Sequence, residues 1–252
     1  MPDVSPSETA RPRDRETAQP HSTTPYTGPD PTRIKDMFGS IAGRYDRANT
    51  VLSAGVHHLW RRTAVRWAGA KKGDAVLDCA TGTGDLAIAF KNAVGDGRVV
   101  GTDFTPEMIE LARQKSHDIT FEVADVTALP FDDDTFDIAS ISFGIRNVGD
   151  PAKGIAEMAR VVRPGGRVIV LEFSRPWKPL QGAYDAYSFG VLPRIGKDVA
   201  RDEAAYRYLA ESIRMHPDQE TLKGMMEAAG LAKVEYFNLA AGVVALHRGY
   251  KT

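Results

Sequence analysis

The chain has 252 residues, 42% apolar and 26% charged, an ordinary globular mix with enough length for one large domain and a real core. Its 32 basic and 33 acidic residues leave a net charge of -1, which supplies no basic field for nucleic acid. A single cysteine, Cys79, excludes an internal disulfide and a cysteine-built metal site and fits a reducing cytoplasm, while no run reaches the ~18 apolar residues of a membrane span and the opening MPDVSPSETARPRDRE lacks the apolar stretch of a secretory signal.

Residues 1–31 carry seven of the 15 prolines and few apolar side chains. They cannot bury enough surface to offset their ordering entropy and read as a disordered arm. From Thr32 to Gly69 the spacing is helical, with Val56, Trp60, Ala64 and Trp67 on one face and Arg62 and Arg66 off it. This segment is expected to form a helical cap. From Gly73 the texture changes to short apolar runs alternating with amphipathic helices, the pattern of a parallel sheet covered on both faces.

The expected strands are Ala75 to Cys79, Arg98 to Thr102 leading into Asp103, Thr120 to Val123, Asp137 to Ser142, and Arg167 to Phe173. A helix is expected from about Asp85. Thr105 and Pro106 should cap and start another that buries Met108, Leu111 and Ala112. Asp150 and Pro151 open a helix with Ile155, Met158, Ala159 and Val162 inward, closed by RPGG. Residues 174–215 break the alternation and read as an insertion or lid. Asp218 to Ala229 should bury Leu222, Met225 and Met226, and the runs Lys233 to Leu239 and Gly242 to Arg248 could close the sheet as an antiparallel hairpin.

The glycine loop in VLDCATGTGDLA falls at the carboxyl end of the first strand, where open α/β sheets bind ligands. Gly82 and Gly84 permit the sharp turn and close approach, although with Ala87 they also satisfy the dinucleotide pattern. Asp103, about 20 residues further on, can accept both hydroxyls of a ribose and suits either cofactor class. Asp125, after the third strand, can approach an adenine edge and separates the two. Asp78 is placed to organise the loop near a cationic amino-acid group, which a pyrophosphate would not favour. The run Asp132 to Asp134 reads as a solvated turn, Cys79 as a small core residue, and no metal site is expected.

Several segments, FGSIAGRYDRANTVLSAGVHHLWRR, TGTGDLA, ADVTALPF, ISFGIRNV, RPGGRVIVLEFSRP, YRYLAESIRMHPDQ and AGVVALHRGYK, carry a resemblance. From about Thr32 to Thr252 the chain resembles the ubiquinone and menaquinone biosynthesis C-methyltransferases, a branch of the class I S-adenosylmethionine-dependent methyltransferases. The resemblance implies an α/β, Rossmann-like fold with a seven-stranded, mainly parallel sheet, helices on both faces and a reversed C-terminal strand. The domain would span 32–252. It further implies S-adenosylmethionine as cofactor, with contacts at Thr83, Asp103, Asp125, Val126 and Ser142. The superfamily's usual loop glycine is replaced here by Ala80, so an adjusted loop with retained binding is expected.

The substrate implied is a polyprenylated benzoquinol or naphthoquinol methylated on a ring carbon, a reaction that needs in-line positioning, an electron-rich reduced ring and support for a forming phenolate. Just after the fourth strand, Arg146 is expected to stabilise the phenolate or orient a water, and Asn147 to supply hydrogen bonding. His216 is an alternative proton acceptor, or a helix-entry residue before Pro217. Tyr45, His57 and His58 could cover the ligands or pack the cap. Trp177, Tyr184, Tyr187 and Phe189 could line a mouth for the isoprenoid tail or pack the lid. A greasy substrate without a membrane span implies transient peripheral contact at the inner face of a membrane, with a homodimer or a biosynthetic complex left open. Competing readings are another small-molecule methyltransferase, a noncatalytic adenosine-nucleotide-binding assembly protein and an NAD-dependent oxidoreductase.

Overall fold

Strands β1 (Val76–Cys79), β2 (Val99–Asp103), β3 (Thr120–Val123), β4 (Phe136–Ser142), β5 (Val162–Phe173), β6 (Leu231–Leu239) and β7 (Val244–Lys251) form one sheet in the order β3-β2-β1-β4-β5-β7-β6. The first five run parallel, and β7 lies antiparallel between β5 and β6. The computed structural model describes residues 30–53, 55–190 and 203–252. The expected disordered arm falls, apart from Asp30 and Pro31, outside the described residues.

The cap consists of α1 (Pro31–Ile41), α2 (Tyr45–Leu52) and α3 (Val56–Ala68). Helices α4 (Asp85–Val94), α5 (Pro106–Lys115) and α6 (Pro151–Val161) connect the parallel strands. Then come α7 (Lys178–Gly190), α8 (Glu203–Met215) and α9 (Gln219–Ala228). Strand alternation divides the core between the two faces of the sheet. Val76, Ile138 and Ile169 pack with Ala64 and Ala68 of α3 and Phe90 of α4. Leu77, Ala139, Val168 and Val170 pack with Ile155 and Met158 of α6 and Leu222 and Met226 of α9. All residues of β1 and β2 are buried, as a sheet covered on both faces requires.

Some local expectations are corrected. On α3 the buried positions are His57, Ala64, Val65 and Ala68, while Val56 is 41% exposed, because the helix turns His57 inward beside Ser53. Strand β5 starts at Val162, which pairs with Phe136 before Ile138 pairs with Arg167. The RPGG turn between these pairs is therefore looped out of the strand instead of preceding it, with Gly165 at φ +80 supplying the bend. Val161, not Val162, completes the buried face of α6. Thr105 occupies the cap of α5 but makes no capping side-chain bond; its amide donates to Asp103 Oδ1 at 2.9 Å. Asp150 does cap α6, accepting from the Lys153 amide at 3.0 Å.

After β1, β2 and β3 have stepped one way, the chain returns and β4 pairs on the other side of β1. The strand order reverses there, and the carboxyl ends of β1 and β4 open a crevice. The cap lies over one side of that crevice, and α8 packs against the short turn Ile145–Asn147 after β4 on the other. Among the described residues no helix is long and apolar enough to cross a membrane.

Candidate active site

Two cavities meet at this crevice. The first, about 330 Å³, is lined by Asp103, Phe104, Asp125, Val126, Asn147 and Asp150, among others. The second, about 220 Å³, takes in Asn49, Ser53, His57 and Trp60 from the cap, Asp78 and Thr83 from the β1 region, Arg146, and Tyr184, Tyr208, Leu209 and Ile213 from the lid segment. Both share Phe38, Tyr45, Ala80, Gly82, Ser142 and Phe143. The side chains of Tyr187 and Phe189 lie outside the described residues. Trp177 is 59% exposed and lines neither cavity.

The loop after β1 reaches this junction through left-handed backbone at Ala80, Gly82 and Gly84. At Gly84 a side chain would also collide with Phe121, whose Cζ lies 2.9 Å from the position of a Cβ. Asp103 fastens the loop from the neighbouring strand, accepting from the Gly82 amide at 2.9 Å. Burial raises the Asp103 pKa, opposed by the amides of Thr105 and Gly82. Asp78 is buried beneath the loop and accepts from the hydroxyls of Thr81 at 2.7 Å and Ser140 at 2.8 Å. Burial lifts its pKa to about 6 despite these donors. Asp125 is exposed at the cavity edge, with Oδ1 accepting from the Thr127 amide at 2.8 Å. The Ser142 hydroxyl is buried on the shared wall with no hydrogen-bond partner among the described residues, an orphan that a ligand can satisfy.

The comparisons with known proteins decide which family built this site. Residues 27–251 match the model of the ubiE/COQ5 methyltransferase family. The chain belongs to the ubiE/COQ5 methyltransferase family. The ubiquinone/menaquinone biosynthesis C-methyltransferase UbiE of Enterobacter sp. (strain 638) is 55% identical over 226 residues, covering 86% of this chain and 90% of that protein. The same-named protein of Escherichia coli O9:H4 (strain HS) is 53% identical with the same coverage. Among solved structures, a SAM dependent methyltransferase from Aquifex aeolicus superposes with TM-score 0.56 at 17% identity, covering 88% of this chain and 99% of its own. The [4+2]-cyclase SpnF superposes with TM-score 0.63 at 16% identity, covering 90% and 97%. At such identities these two show the fold alone, and a cyclase on the same frame means the chemistry must be read from the site.

This ubiE/COQ5 member uses S-adenosylmethionine, and its residues fit that group. A carboxylate at a strand end, a second at the cavity edge, an unpartnered serine hydroxyl and a buried acid under the glycine loop offer acceptors for ribose, adenine and an ammonium. Of the residues expected to contact cofactor, Gly82, Asp103, Asp125, Val126 and Ser142 line the first cavity, and Asp78 and Thr83 line the second. Gly84 is the cap of α4, behind the cavity walls.

Several expected roles change. The Thr83 hydroxyl is already spent: it donates to Asp46 of α2 at 2.6 Å and accepts from Lys115 of α5 at 2.8 Å, tying the cap to the loop. Lys115 also bridges Asp46 and Asp85. Arg146 is buried against Glu172, with Nη1 2.7 Å from Oε1, and Nη1 also donates to the Phe143 carbonyl at 2.6 Å. Its charge is answered inside the protein, so it offers a forming phenolate no uncompensated cation. Asn147 belongs to the first cavity, and its Oδ1 accepts from Tyr208 of α8 at 2.8 Å. His216 is 2% exposed and reaches neither cavity wall, so the expected proton acceptor is a core residue. Burial lowers its pKa, Glu172 raising it and Arg146 lowering it. Tyr45 and His57 do line the second cavity; His58 stacks on His57 from the outside at 3.9 Å.

Sequence reasoning missed Glu172, Asp46, Lys115, Tyr208 and Phe143. Glu172 had a signal: an acid inside the apolar run VIVLEF must be paired once buried. Tyr208 and Lys115 had none, because only the fold brings them to the crevice.

The departure at Ala80 has a structural answer. A Cβ on Gly144 would lie 2.6 Å from the Ala80 Cβ, so the absence of a side chain at Gly144 makes room for the methyl carried at Ala80. Gly144→Ala should therefore cost about 1–3 kcal/mol through overpacking. Adding Ala80→Gly should recover most of it by removing both the clash and a left-handed alanine at φ +48. Denaturant melts of the two single variants and the double variant check this, and strict additivity of the two changes would refute the pairing.

Proposed function

We propose that the chain methylates a ring carbon of a polyprenylated quinol in menaquinone or ubiquinone biosynthesis, converting demethylmenaquinol or a 2-polyprenyl-6-methoxy-1,4-benzoquinol to its methylated product. The observation that carries this is a cavity bordered by the carboxylates of Asp103, Asp125 and Asp150 that shares one wall with a cavity bordered by Met37, Ile41, Trp60, Leu209 and Ile213, in a chain above 50% identical to proteins named for that chemistry. S-adenosylmethionine supplies an electrophilic methyl group on a sulfonium.

In this reading Asp103 takes the ribose hydroxyls, Asp125 and Val126 flank the adenine, Ser142 satisfies its orphan oxygen on the cofactor, and Asp78 faces the ammonium. Adenosine thereby occupies the first cavity and leaves the second for the ring. Phe38, Tyr45 and Phe143 border the junction, and bound ligands packed against these rings would displace water and strengthen the electrostatic contacts inside. Met37, Ile41, Trp60, Leu209 and Ile213 give the ring and the first isoprene units an apolar wall. The ring must be a quinol, because the hydroxyl lone pair feeds the carbon that attacks.

Peripheral contact of the chain with the inner face of a membrane belongs to the same proposal, and exposed apolar side chains support it. Val51, Val56 and Leu59 at the α2–α3 corner, and Trp177 and Leu180 at the start of the lid segment, are exposed large apolar side chains. The test is one experiment with the full chain, methyl-labelled S-adenosylmethionine and each demethylated quinone supplied in liposomes with and without reductant. Label should enter a ring carbon only under reducing conditions, and the chain should float with the vesicles. Cofactor binding without transfer to either quinol would leave the noncatalytic reading standing, NADH binding without S-adenosylmethionine binding would favour the oxidoreductase, and transfer without flotation would remove only the membrane contact.

A further inference from the structure

The second cavity contains a histidine whose tautomer is determined by its neighbours. Ser53 Oγ lies 2.7 Å from the carbonyl oxygen of Asn49 and 2.6 Å from His57 Nδ1. A hydroxyl has one proton and a carbonyl oxygen only accepts, so the Ser53 proton goes to Asn49 and His57 Nδ1 must donate to Ser53. Nε2 is then left with the ring's lone pair, and among the described residues no hydrogen bond reaches it. The ring is 5% exposed, stacked on His58 with centroids 3.9 Å apart, and part of the cavity wall that includes Tyr45, Ala80, Gly82, Ser142 and Phe143.

The imidazole is neutral in this setting. Burial lowers its pKa to about 4, helped by Arg61 and His58 on its own helix and opposed by Asp85 of α4 and Asp46 of α2. Asp78 and Arg146 border the same cavity, but Asp78 is engaged by two hydroxyl donors and Arg146 by Glu172. Among the described residues His57 Nε2, like Ser142 Oγ on the shared wall, carries no hydrogen bond, and unlike a hydroxyl it is a basic acceptor.

We propose that His57 is a catalytic residue for the quinol reaction, its Nε2 accepting first the hydrogen bond and then the proton of a ring hydroxyl. The inference rests on the quinol reading above. As the ring carbon takes the methyl group, the electron pair of the broken carbon–sulfur bond stays on sulfur. The hydroxyl proton moves to Nε2, and the ring becomes a neutral dienone with methyl and hydrogen on one carbon. That hydrogen leaves to water as a proton and aromaticity returns, with the proton on Nε2 going back to the phenolate oxygen. One methyl group is gained and one proton released. A weak base suffices, because a hydroxyl on a ring that is surrendering electrons to a new bond is strongly acidic. Ser53 still accepts from Nδ1–H throughout and so supports the transient imidazolium.

The test compares the wild-type chain with His57→Asn and His57→Gln in the quinol assay, alongside cofactor titration. Asparagine can keep the donor to Ser53 while deleting Nε2; glutamine places a neutral acceptor near the Nε2 position. His57→Asn should lower kcat about 100-fold, within the usual range for losing a general base. Its rate should then rise about tenfold per pH unit, as only ionised quinol reacts, whereas the wild-type rate stays flat from pH 6 to 9. His57→Gln should recover KM without recovering kcat, and both variants should bind S-adenosylmethionine like the wild type. A wild-type kcat and flat profile in His57→Asn would overturn the assignment, as would cofactor affinity lost in proportion to activity in both variants. If the wild-type chain methylates neither quinol, the functional reading fails, an outcome distinct from either of these.

Discussion

Asp78→Asn is expected to make the cofactor-free protein more stable while weakening its hold on S-adenosylmethionine. The Asp78 carboxyl is 1% exposed and its pKa moves from 3.8 to about 6, with burial the largest cause. A carboxyl whose folded pKa lies above its unfolded value adds stability below pH 3.8 and loses that contribution as pH rises through 6. The difference corresponds to roughly 3 kcal/mol at pH 8, an order-of-magnitude figure. Asparagine keeps an acceptor for Thr81 or Ser140 without the buried charge. Its advantage should be smaller at pH 5, grow by about 1.4 kcal/mol per pH unit up to pH 6, and then level off. Thermal melts at pH 5 and 8 measure this; an advantage independent of pH would show that ionisation is not the cause. Opposite an ammonium the same charge becomes favourable, so the variant should bind S-adenosylmethionine at least tenfold more weakly, by about 1.5 kcal/mol or more for a lost charged hydrogen bond. On the proposed reading, the stability that this buried charge costs is exchanged for affinity toward a cation.

That trade explains why parts of this protein were legible from sequence and others were not. The parallel strands were readable because β1, β2 and β4 are buried on both faces and are mostly apolar runs that close on polar residues, with Asp78 next to the end of β1, Asp103 ending β2 and Ser142 ending β4. The glycine loop was readable because left-handed backbone leaves a trace in Gly82 and Gly84. Chain neighbours of strand ends, such as Asp103, Asp125 and Ser142, inherit their place from the topology. Roles that depend on which partner claims a side chain left no such trace. Thr83, Arg146 and Asn147 all border the crevice, yet Thr83 Oγ1, Arg146 Nη1 and Asn147 Oδ1 are engaged by Asp46, Glu172 and Tyr208, residues 26 to 61 positions away in sequence. Proximity to a motif predicts location; the hydrogen-bond partner decides chemistry, and it is a tertiary fact. His57 illustrates the converse. As one histidine on a cap helix it supported ligand coverage and packing equally, until Ser53 and Asn49 fixed its tautomer.

Glu172→Ala is expected to be the most damaging single change outside the cofactor loop. The Glu172 side chain is 1% exposed and that of Arg146 6%, so neither charge has water to fall back on. Glu172 also accepts from the Phe173 amide at 2.9 Å, anchoring the end of β5 beside the shared cavity wall. Removing one partner of a buried ion pair typically costs about 3–5 kcal/mol, mostly from the stranded charge. For a domain of this size that is a fall in Tm of roughly 10 °C, at about 2–4 °C per kcal/mol. The stacking of the guanidinium on Phe173, 5.3 Å from the ring centroid, is worth too little to offset the loss. The double change Arg146→Met with Glu172→Leu removes both charges at similar volume and should regain most of the stability, since a buried pair seldom outperforms apolar packing. If Arg146 acts as a wall of the second cavity, the double variant should also retain cofactor affinity and keep far more turnover than Glu172→Ala. Stability regained with turnover abolished and cofactor still bound would instead return the guanidinium to the chemistry, and a Glu172→Ala protein as stable as wild type would show that the pair is open to water. The comparison separates a charge kept for the substrate from one kept for the fold, which a single substitution at Arg146 would confound.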